Sequence, residues 1–292
     1  MAANRRQVLG GLAAAGAATV IAPSGATASA RPAAPADAIG MLYDATRCIG
    51  CKACVAACRE ANALPYESER PLWDDPIDLS SNTKNIIKLY REGDRFSYVK
   101  AQCMQCIDPS CAGACMMGSL QKRDRGVVTW IPARCIGCRY CQVACPFNVP
   151  KFQFERANPR IVKCEMCKDR DSKPFQPACC EVCPRQAVVF GSYRDLLADA
   201  RARLAADPAR YYPKVYGETD GGGTQVLYLS AAGIPFEKLG LPTLEAYSHA
   251  EVPRTVQHGL YRGMALPAML YAALGIVILR NRRKGAGKEE QP

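Results

Sequence analysis

The sequence predicts an α+β fold in which two cysteine-rich modules are interleaved, followed by a single C-terminal transmembrane helix. Three observations predict this fold. Sixteen of the 17 cysteines in the 292-residue chain fall into four groups of four. Two of the groups have identical spacing, which indicates duplicated modules. An uncharged, mostly apolar stretch near the C-terminus has about the length of a membrane span.

The composition excludes several classes of protein. Hydrophobic residues make up 49% of the chain and charged residues 22%, so we do not expect a disordered protein. The chain is too long for a small disulfide scaffold and too rich in cysteine for an ordinary cytosolic enzyme. It has only two histidines, and no Ser/His/Asp or Cys/His arrangement is recognisable. We therefore expect a protein that is not itself catalytic.

Residues 1–30 predict a twin-arginine export signal. Arg5 and Arg6 directly precede the apolar run 8–22, and small residues at 28–30 offer a cleavage site. A basic N-terminus followed by an Ala-rich helix is the alternative. Because the twin-arginine route exports folded proteins, the signal predicts that cysteines are loaded with their cofactor before they reach the oxidising periplasm.

The predicted transmembrane helix spans residues 259–280. Residues 263–279 carry no charge and would form a helix about 25 Å long, with Arg262 at the interface and Pro267 near the helix start. Residues 281–292 form a basic tail, so the positive-inside rule predicts a cytoplasmic C-terminus. A buried core helix is the alternative, because the apolar stretch is short.

The four cysteine groups share a spacing that is typical of iron–sulfur ligands. Groups one and three both have the pattern C-x2-C-x2-C-x3-C, whereas groups two and four have a longer gap in the middle. In group order, the sixteen residues are Cys48, Cys51, Cys54 and Cys58; Cys103, Cys106, Cys111 and Cys115; Cys135, Cys138, Cys141 and Cys145; and Cys164, Cys167, Cys179 and Cys183.

This spacing predicts four 4Fe–4S clusters. The first three cysteines of a group surround one cluster, and the fourth points to the neighbouring cluster. Each cluster then takes three ligands from one group and one ligand from a partner group. The result is two bacterial-ferredoxin-like modules, each with two clusters, across residues 31–190.

Other cysteine chemistries fit less well. Zinc is the main alternative, but zinc sites pair two cysteine dyads and do not need a third thiolate in each group. Haem c is excluded because no CxxC is followed by histidine. A disulfide framework is disfavoured because neighbouring CxxC cysteines close only short loops.

The formal net charge of +11 would ordinarily suggest a nucleic-acid partner. Four oxidised clusters held by sixteen thiolates bring a charge of about −8. The basic residues therefore offset the cluster charge, and we expect no nucleic-acid partner.

The four groups resemble the four-cluster ferredoxin subunits of respiratory membrane oxidoreductases. Further stretches are similar to the electron-transfer subunits of periplasmic nickel–iron hydrogenases of the hydrogenase-2 type: residues 40–44 (GMLYD), 138–141 (CRYC), 211–213 (YYP) and 221–226 (GGGTQV). The resemblance implies a complex with the small and large subunits of a hydrogenase and with a multi-span membrane subunit that reacts with quinone. In that complex, this chain would conduct electrons between the hydrogenase and the membrane subunit. It also implies a location on the periplasmic side of the bacterial inner membrane. The beta subunit of a formate dehydrogenase, or of another molybdopterin oxidoreductase, is the alternative.

The resemblance further implies crossed ligand sets, in which each cluster is bound by two groups. The implied sets are Cys48, Cys51, Cys54 and Cys183; Cys164, Cys167, Cys179 and Cys58; Cys103, Cys106, Cys111 and Cys145; and Cys135, Cys138, Cys141 and Cys115.

Residues 191–258 are expected to form a partner-docking extension. It contains a predicted helix from Ser192 to about Asp207 and a predicted strand at 224–229. Cys180 lies outside the repeat, and we expect it to be a packing residue, with a ligand exchange with Cys179 as the alternative. His258 is expected to be a solvated residue beside the membrane, although it could face a quinone or a partner.

Overall fold

The computed structural model describes residues 33–65, 77–156, 159–171 and 173–286, without the side chains of 252–262 and 283–286. The predicted export signal, the side chain of His258 and residues 287–292 of the tail lie outside the described part. The chain divides into a compact unit, Arg31–Pro253, and a second unit that contains most of the C-terminal helix.

The compact unit has the mixed helix and strand content that the sequence predicts. Its strands are β1 Ile39–Asp44, β2 Asn85–Glu92, β3 Arg95–Gln102, β4 Leu120–Lys122, β5 Val128–Trp130, β6 Lys151–Phe152, β7 Ile161–Val162, β8 Val188–Ser192 and β9 Val226–Leu229. Its helices are α1 Ala53–Ala61, α2 Ser110–Gly113, α3 Tyr140–Val143, α4 Ala178–Glu181 and α5 Tyr193–Ala206.

A three-stranded sheet of order β8-β1-β9 lies at the centre of the hydrophobic core. The central strand β1 is antiparallel to β8 and parallel to β9, with Tyr43 opposite both Val188 and Tyr228. Successive side chains of a strand point to opposite faces. Met41 and Tyr43 accordingly join one buried cluster, whereas Leu42 joins another. Both faces of the sheet are therefore covered.

Three antiparallel strand pairs surround the cysteine groups: β2-β3, β4-β5 and β6-β7. The β2-β3 hairpin turns between Glu92 and Arg95, which pair with each other. Gly93 has a φ of 58° in this two-residue turn, a conformation that glycine adopts at little cost. The hairpin positions the side chains that lie between the cysteine groups.

The predicted helix and strand of the extension belong to the compact unit. Helix α5 begins after Ser192, as predicted, and buries Leu196 and Ala200. Strand β9 supplies the third strand of the central sheet. Residues 190 and 191, on the two sides of the expected domain boundary, both lie in β8. The boundary itself stays a prediction. A docking role for residues 191–258 stays a prediction.

The C-terminal helix α6, Glu251–Ala286, contains the predicted apolar segment. Residues Gly263–Arg282 have a mean hydropathy of 1.7, and the helix is long and apolar enough to cross a membrane. The prediction that Pro267 lies near the start of the helix is wrong, because the helix begins at Glu251 and Pro267 lies inside it. The prediction of one apolar C-terminal helix is confirmed, and it fits a membrane anchor.

Candidate metal centres

The CxxC loops of groups one and three fold in the same way. Gly50 and Gly137 lie between the first two cysteines with φ of 71° and 72°, and Lys52 and Arg139 follow the second cysteine with φ of 55° and 65°. At Gly50, a Cβ atom would lie 2.3 Å from the Tyr98 ring. Glycine is thus required there both for conformation and for space.

Groups two and four make a similar turn without glycine. Gln105 precedes Cys106 with a φ of 51°, and Met166 precedes Cys167 with a φ of 52°. Non-glycine residues are uncommon in this left-handed region. Tertiary contacts, including a 2.8 Å hydrogen bond from Gln105 Nε2 to the carbonyl of Cys164, hold the Gln105 turn in place.

Short helices bring the cysteine groups together in pairs. Helix α1 of group one packs against α4 of group four, and α2 of group two packs against α3 of group three. Cys54 and Cys58 lie one turn apart on α1. Cys183 lies two residues after the end of α4, and Cys115 lies two residues after the end of α2.

Two cavities are each lined by four cysteines from two groups. Cys183 of group four joins three cysteines of group one around the first cavity, and Cys115 of group two joins three cysteines of group three around the second. The lining cysteines are Cys48, Cys51, Cys54 and Cys183 in the first cavity, and Cys115, Cys135, Cys138 and Cys141 in the second.

The other eight cysteines lie near one another in the same crossed manner. Burial, together with the neighbouring thiols of Cys179 and Cys167, raises the pKa of Cys58 to about 11. Cys164 has Cys179 and Cys58 among its electrostatic neighbours. Burial likewise raises the pKa of Cys106, and the thiols of Cys145, Cys103 and Cys111 add to that rise.

We name the four spatial groupings set 1 to set 4. Set 1 is Cys48, Cys51, Cys54 and Cys183; set 2 is Cys58, Cys164, Cys167 and Cys179; set 3 is Cys103, Cys106, Cys111 and Cys145; and set 4 is Cys115, Cys135, Cys138 and Cys141.

The sets follow one another in a row. Cys54 of set 1 has Cys179 of set 2 as an electrostatic neighbour. In the same way, Cys103 of set 3 is an electrostatic neighbour of Cys164 of set 2, and Cys141 of set 4 is an electrostatic neighbour of Cys111 of set 3. Sets 1 and 4, at the two ends, each have an exposed cysteine, Cys51 and Cys138, whereas no cysteine of sets 2 and 3 is exposed.

The donor sets fit 4Fe–4S clusters. In the described ranges, no three His, Cys, Asp or Glu side chains converge closely enough to hold a single metal ion. The thiols of sets 1 and 4 instead surround cavities, as expected when each thiolate binds a different iron of one cage. Backbone amides of Ser119 and Ala187 donate to the sulfurs of Cys115 and Cys183, both at 3.2 Å. Hydrogen bonds to the ligand sulfurs tune the potential of a bound cluster.

Cys180 lies in the hydrophobic core beside Cys179, with 4.0 Å between their sulfurs. The hydrogen bond from the Cys180 thiol lowers the pKa of Cys179, and Lys100 also favours the thiolate there. The pKa of Cys180 itself is raised well above its ordinary value by the same bond and by burial.

Comparison with known proteins points to the same chemistry. Residues 95–193 match the 4Fe-4S dicluster domain family. The chain is 38% identical, over 297 aligned residues and 89% of each chain, to the hydrogenase-2 operon protein HybA of Escherichia coli O157:H7. It is 36% identical over 214 residues to the nitrate-inducible formate dehydrogenase iron–sulfur subunit of Escherichia coli K12, covering 70% of this chain and 72% of that subunit.

The fold and the cysteine sets, together with these relatives, define an iron–sulfur electron-transfer subunit of an oxidoreductase complex. The chain belongs to the family of the hydrogenase-2 operon protein HybA. The resemblance identified in the sequence and the iron–sulfur chemistry are confirmed. The number of clusters, their ligands and the individual partners stay predictions.

Proposed function

We propose that this chain conducts electrons through four 4Fe–4S clusters between a periplasmic nickel–iron hydrogenase and a quinone-reactive membrane subunit. The observation that carries the proposal is the row of four cysteine sets in a chain related to HybA along 89% of its length. When bound, each cluster supplies a centre that takes up and releases one electron at a time.

The sixteen cysteines are the proposed ligands, with one cluster in each of sets 1 to 4. Interleaving follows from the helices, because α1 supplies Cys54 to set 1 and Cys58 to set 2. Because these two proposed ligands lie one turn apart on the same helix, they fix the distance between the two neighbouring clusters. Efficient electron transfer requires such a fixed distance. Sets 1 and 2 then form one ferredoxin-like module, and sets 3 and 4 form the other.

The difference in exposure between the sets supports conduction from one end of the row to the other. No cysteine of sets 2 and 3 is exposed, and four of the eight are buried, so water and soluble oxidants have less access to these sets than to the end sets. Exposed Ile49 and Ile136 flank the cysteines of the end sets, with 54% and 61% of their surface accessible. These ends are the proposed entry and exit for electrons, where partner subunits would dock.

The apolar segment of α6 is the proposed membrane anchor. Together with the predicted export signal, it would hold the domain on the periplasmic side with the C-terminus in the cytoplasm. A segment of marginal length with no recognisable cofactor ligands serves best as a tether, which raises the effective concentration of the domain near its membrane partner.

A formate dehydrogenase or another molybdopterin enzyme is the second candidate partner. It is favoured by the 36% identity to a formate dehydrogenase iron–sulfur subunit, which extends over 70% of this chain. The greater coverage of the HybA match favours hydrogenase. Purification of the full chain from membranes with its associated subunits distinguishes the two, since recovery with a molybdopterin subunit would reject the hydrogenase assignment.

Metal analysis of the anaerobically purified full chain tests the cluster content. We expect about 16 irons per chain and no stoichiometric zinc. Four zincs per chain, or fewer than about 12 irons in a fully loaded preparation, would contradict the four-cluster proposal.

A further inference from the structure

Lys100 is a fully buried cation at the boundary between sets 1 and 2. It lies on β3 with 0% of its surface exposed, and its side chain lines the cavity of set 1 beside Cys54. Its ammonium donates a hydrogen bond to the amide oxygen of Gln102. Its carbonyl accepts a hydrogen bond from the Tyr228 hydroxyl. Both ends of the residue are therefore held in place.

The charged groups that face Lys100 are cysteine thiolates of both sets. Burial penalises the ammonium of Lys100, and the neighbouring sulfurs of Cys179, Cys54 and Cys164 would supply the compensating negative charge once they bind iron as thiolates. With that compensation, a buried lysine carries its positive charge.

This environment differs from that of other buried charges in the protein. Buried Asp44 has Arg203 at 3.1 Å, and buried Asp220 has Lys214 at 2.6 Å. The hydrogen-bond partner of Lys100 is a neutral amide, so the negative charge that balances it is that of the thiolates and any cluster they bind. Buried charge is tolerated only when such compensation exists.

We propose that Lys100 raises the reduction potentials of the two clusters held by sets 1 and 2. The inference rests on the proposed four-cluster function. A bound cluster gains one negative charge when it takes one electron from its donor, and Lys100 keeps its proton throughout. A fixed positive charge in a low-dielectric interior stabilises the more negative form, so reduction becomes more favourable.

A second buried lysine repeats the arrangement at the next boundary. Lys163, with 2% of its surface exposed, donates to the carbonyls of Val128 and Cys164. The negative groups that act on it are Cys103 of set 3 and the carboxylate of Glu165, followed by Cys111 of set 3 and Cys164 of set 2. Lys163 thus differs from Lys100 in having a carboxylate nearby, but it too lies beside cysteines of two sets.

The test is a redox titration of the full, cluster-loaded chain, with dithionite as reductant and electron paramagnetic resonance as the readout. In Lys100→Met, two of the four midpoint potentials should each fall by at least about 59 mV, which corresponds to a tenfold decrease in the equilibrium constant for one-electron reduction. The other two should shift less. Lys88→Met is the matched control, because Lys88 on β2 is 41% exposed and pairs with Asp78. It should leave all four potentials unchanged, since exposed charges are screened.

Lys100→Arg keeps the charge and should hold the two potentials near those of the unaltered protein. Equal shifts in the Met and Arg variants would overturn the proposal in favour of a packing effect, as would unchanged potentials in Lys100→Met. If Lys100→Met loses iron, Lys100→Gln replaces it. If both neutral variants lose iron but Lys100→Arg does not, the positive charge is needed for cluster assembly. That result would overturn the proposal that Lys100 raises the reduction potentials. If the unaltered protein lacks four titrating centres, the proposed function itself fails.

Discussion

Cys179 and Cys180 are neighbours in sequence, and both are buried. Their sulfurs lie 4.0 Å apart, and either thiol could donate a hydrogen bond to the other. Cys179 also lies near Cys58 and Cys164 of set 2. The proposed ligand is therefore Cys179, and Cys180 supports it from the core.

We expect Cys179→Ser to lose or convert one cluster, whereas Cys180→Ser should keep iron content and electron transfer close to those of the unaltered protein. Removal of a ligand exposes an iron, but a serine at position 180 can still donate a hydrogen bond to Cys179. Iron analysis and electron paramagnetic resonance of the two purified variants test this. The reverse pattern would reassign the ligand to Cys180.

Asp44 is a fully buried carboxylate that joins β1 to the segment after β8. It accepts hydrogen bonds from Arg203 at 3.1 Å and from the Tyr211 hydroxyl at 3.0 Å, and Arg47 lies 3.5 Å away. Asp44→Asn would leave the largely buried Arg203 without this counter-charge. We expect a loss of about 2–4 kcal/mol in stability, seen as a lower apparent Tm of the cluster-loaded protein at a fixed scan rate.

Asp199→Asn is the control for this prediction. Asp199 contacts the same Arg203 at 2.6 Å, but its side chain is 42% exposed, so its removal should cost about 1 kcal/mol or less. Equal effects of the two substitutions would show that burial of Asp44 does not matter.

At the scale of elements, helix α6 is separable from the cysteine sets. All sixteen cysteines lie within Arg31–Pro253, whereas the apolar segment Gly263–Arg282 lies beyond it. Truncation after Gln257 should therefore leave the iron content and the hydrogen-dependent reduction of a soluble dye intact, when the chain is purified with its hydrogenase. Hydrogen-dependent quinone reduction in membranes should fall sharply, because the domain is no longer tethered.

Two outcomes would contradict this prediction about α6. Loss of iron on truncation would mean that the C-terminal segment is needed for folding of the cysteine-rich unit. Unchanged quinone reduction would mean that other subunits hold the complex at the membrane. A chain truncated after Ala286 is the control, since it removes part of the tail but keeps the apolar segment.

At the scale of the whole molecule, export and cofactor loading are expected to be coupled. Replacement of Arg5 and Arg6 by lysine should leave the cluster-loaded protein in the cytoplasm, because the twin-arginine route reads the arginine pair and exports folded proteins. Cell fractionation with iron analysis of each fraction measures this. Normal periplasmic accumulation would mean that the signal is misassigned or that a partner's signal carries the chain across.

The whole molecule also balances charge. Its formal charge of +11 includes two buried lysines, Lys100 and Lys163, that lie between cysteine sets. The composition predicts that basic residues offset the negative charge of the clusters. Lys100 and Lys163 would do so inside the protein, where solvent screening is weak.

Features that depend on neighbours along the chain could be predicted from the sequence. The cysteine spacing predicted the iron–sulfur chemistry because three of the four proposed ligands of each centre come from one segment of the chain. Hydrophobic periodicity predicted α5 and β9, and hydropathy predicted the apolar helix within α6. A resemblance, rather than the spacing, implied which groups share a set. Only the tertiary structure decided the order of the sets and the parallel pairing of β9 with β1. It also decided the burial of Lys100 between Cys54 and Cys179. These features depend on segments far apart in sequence that pack together, and no local pattern encodes which distant segment becomes a neighbour.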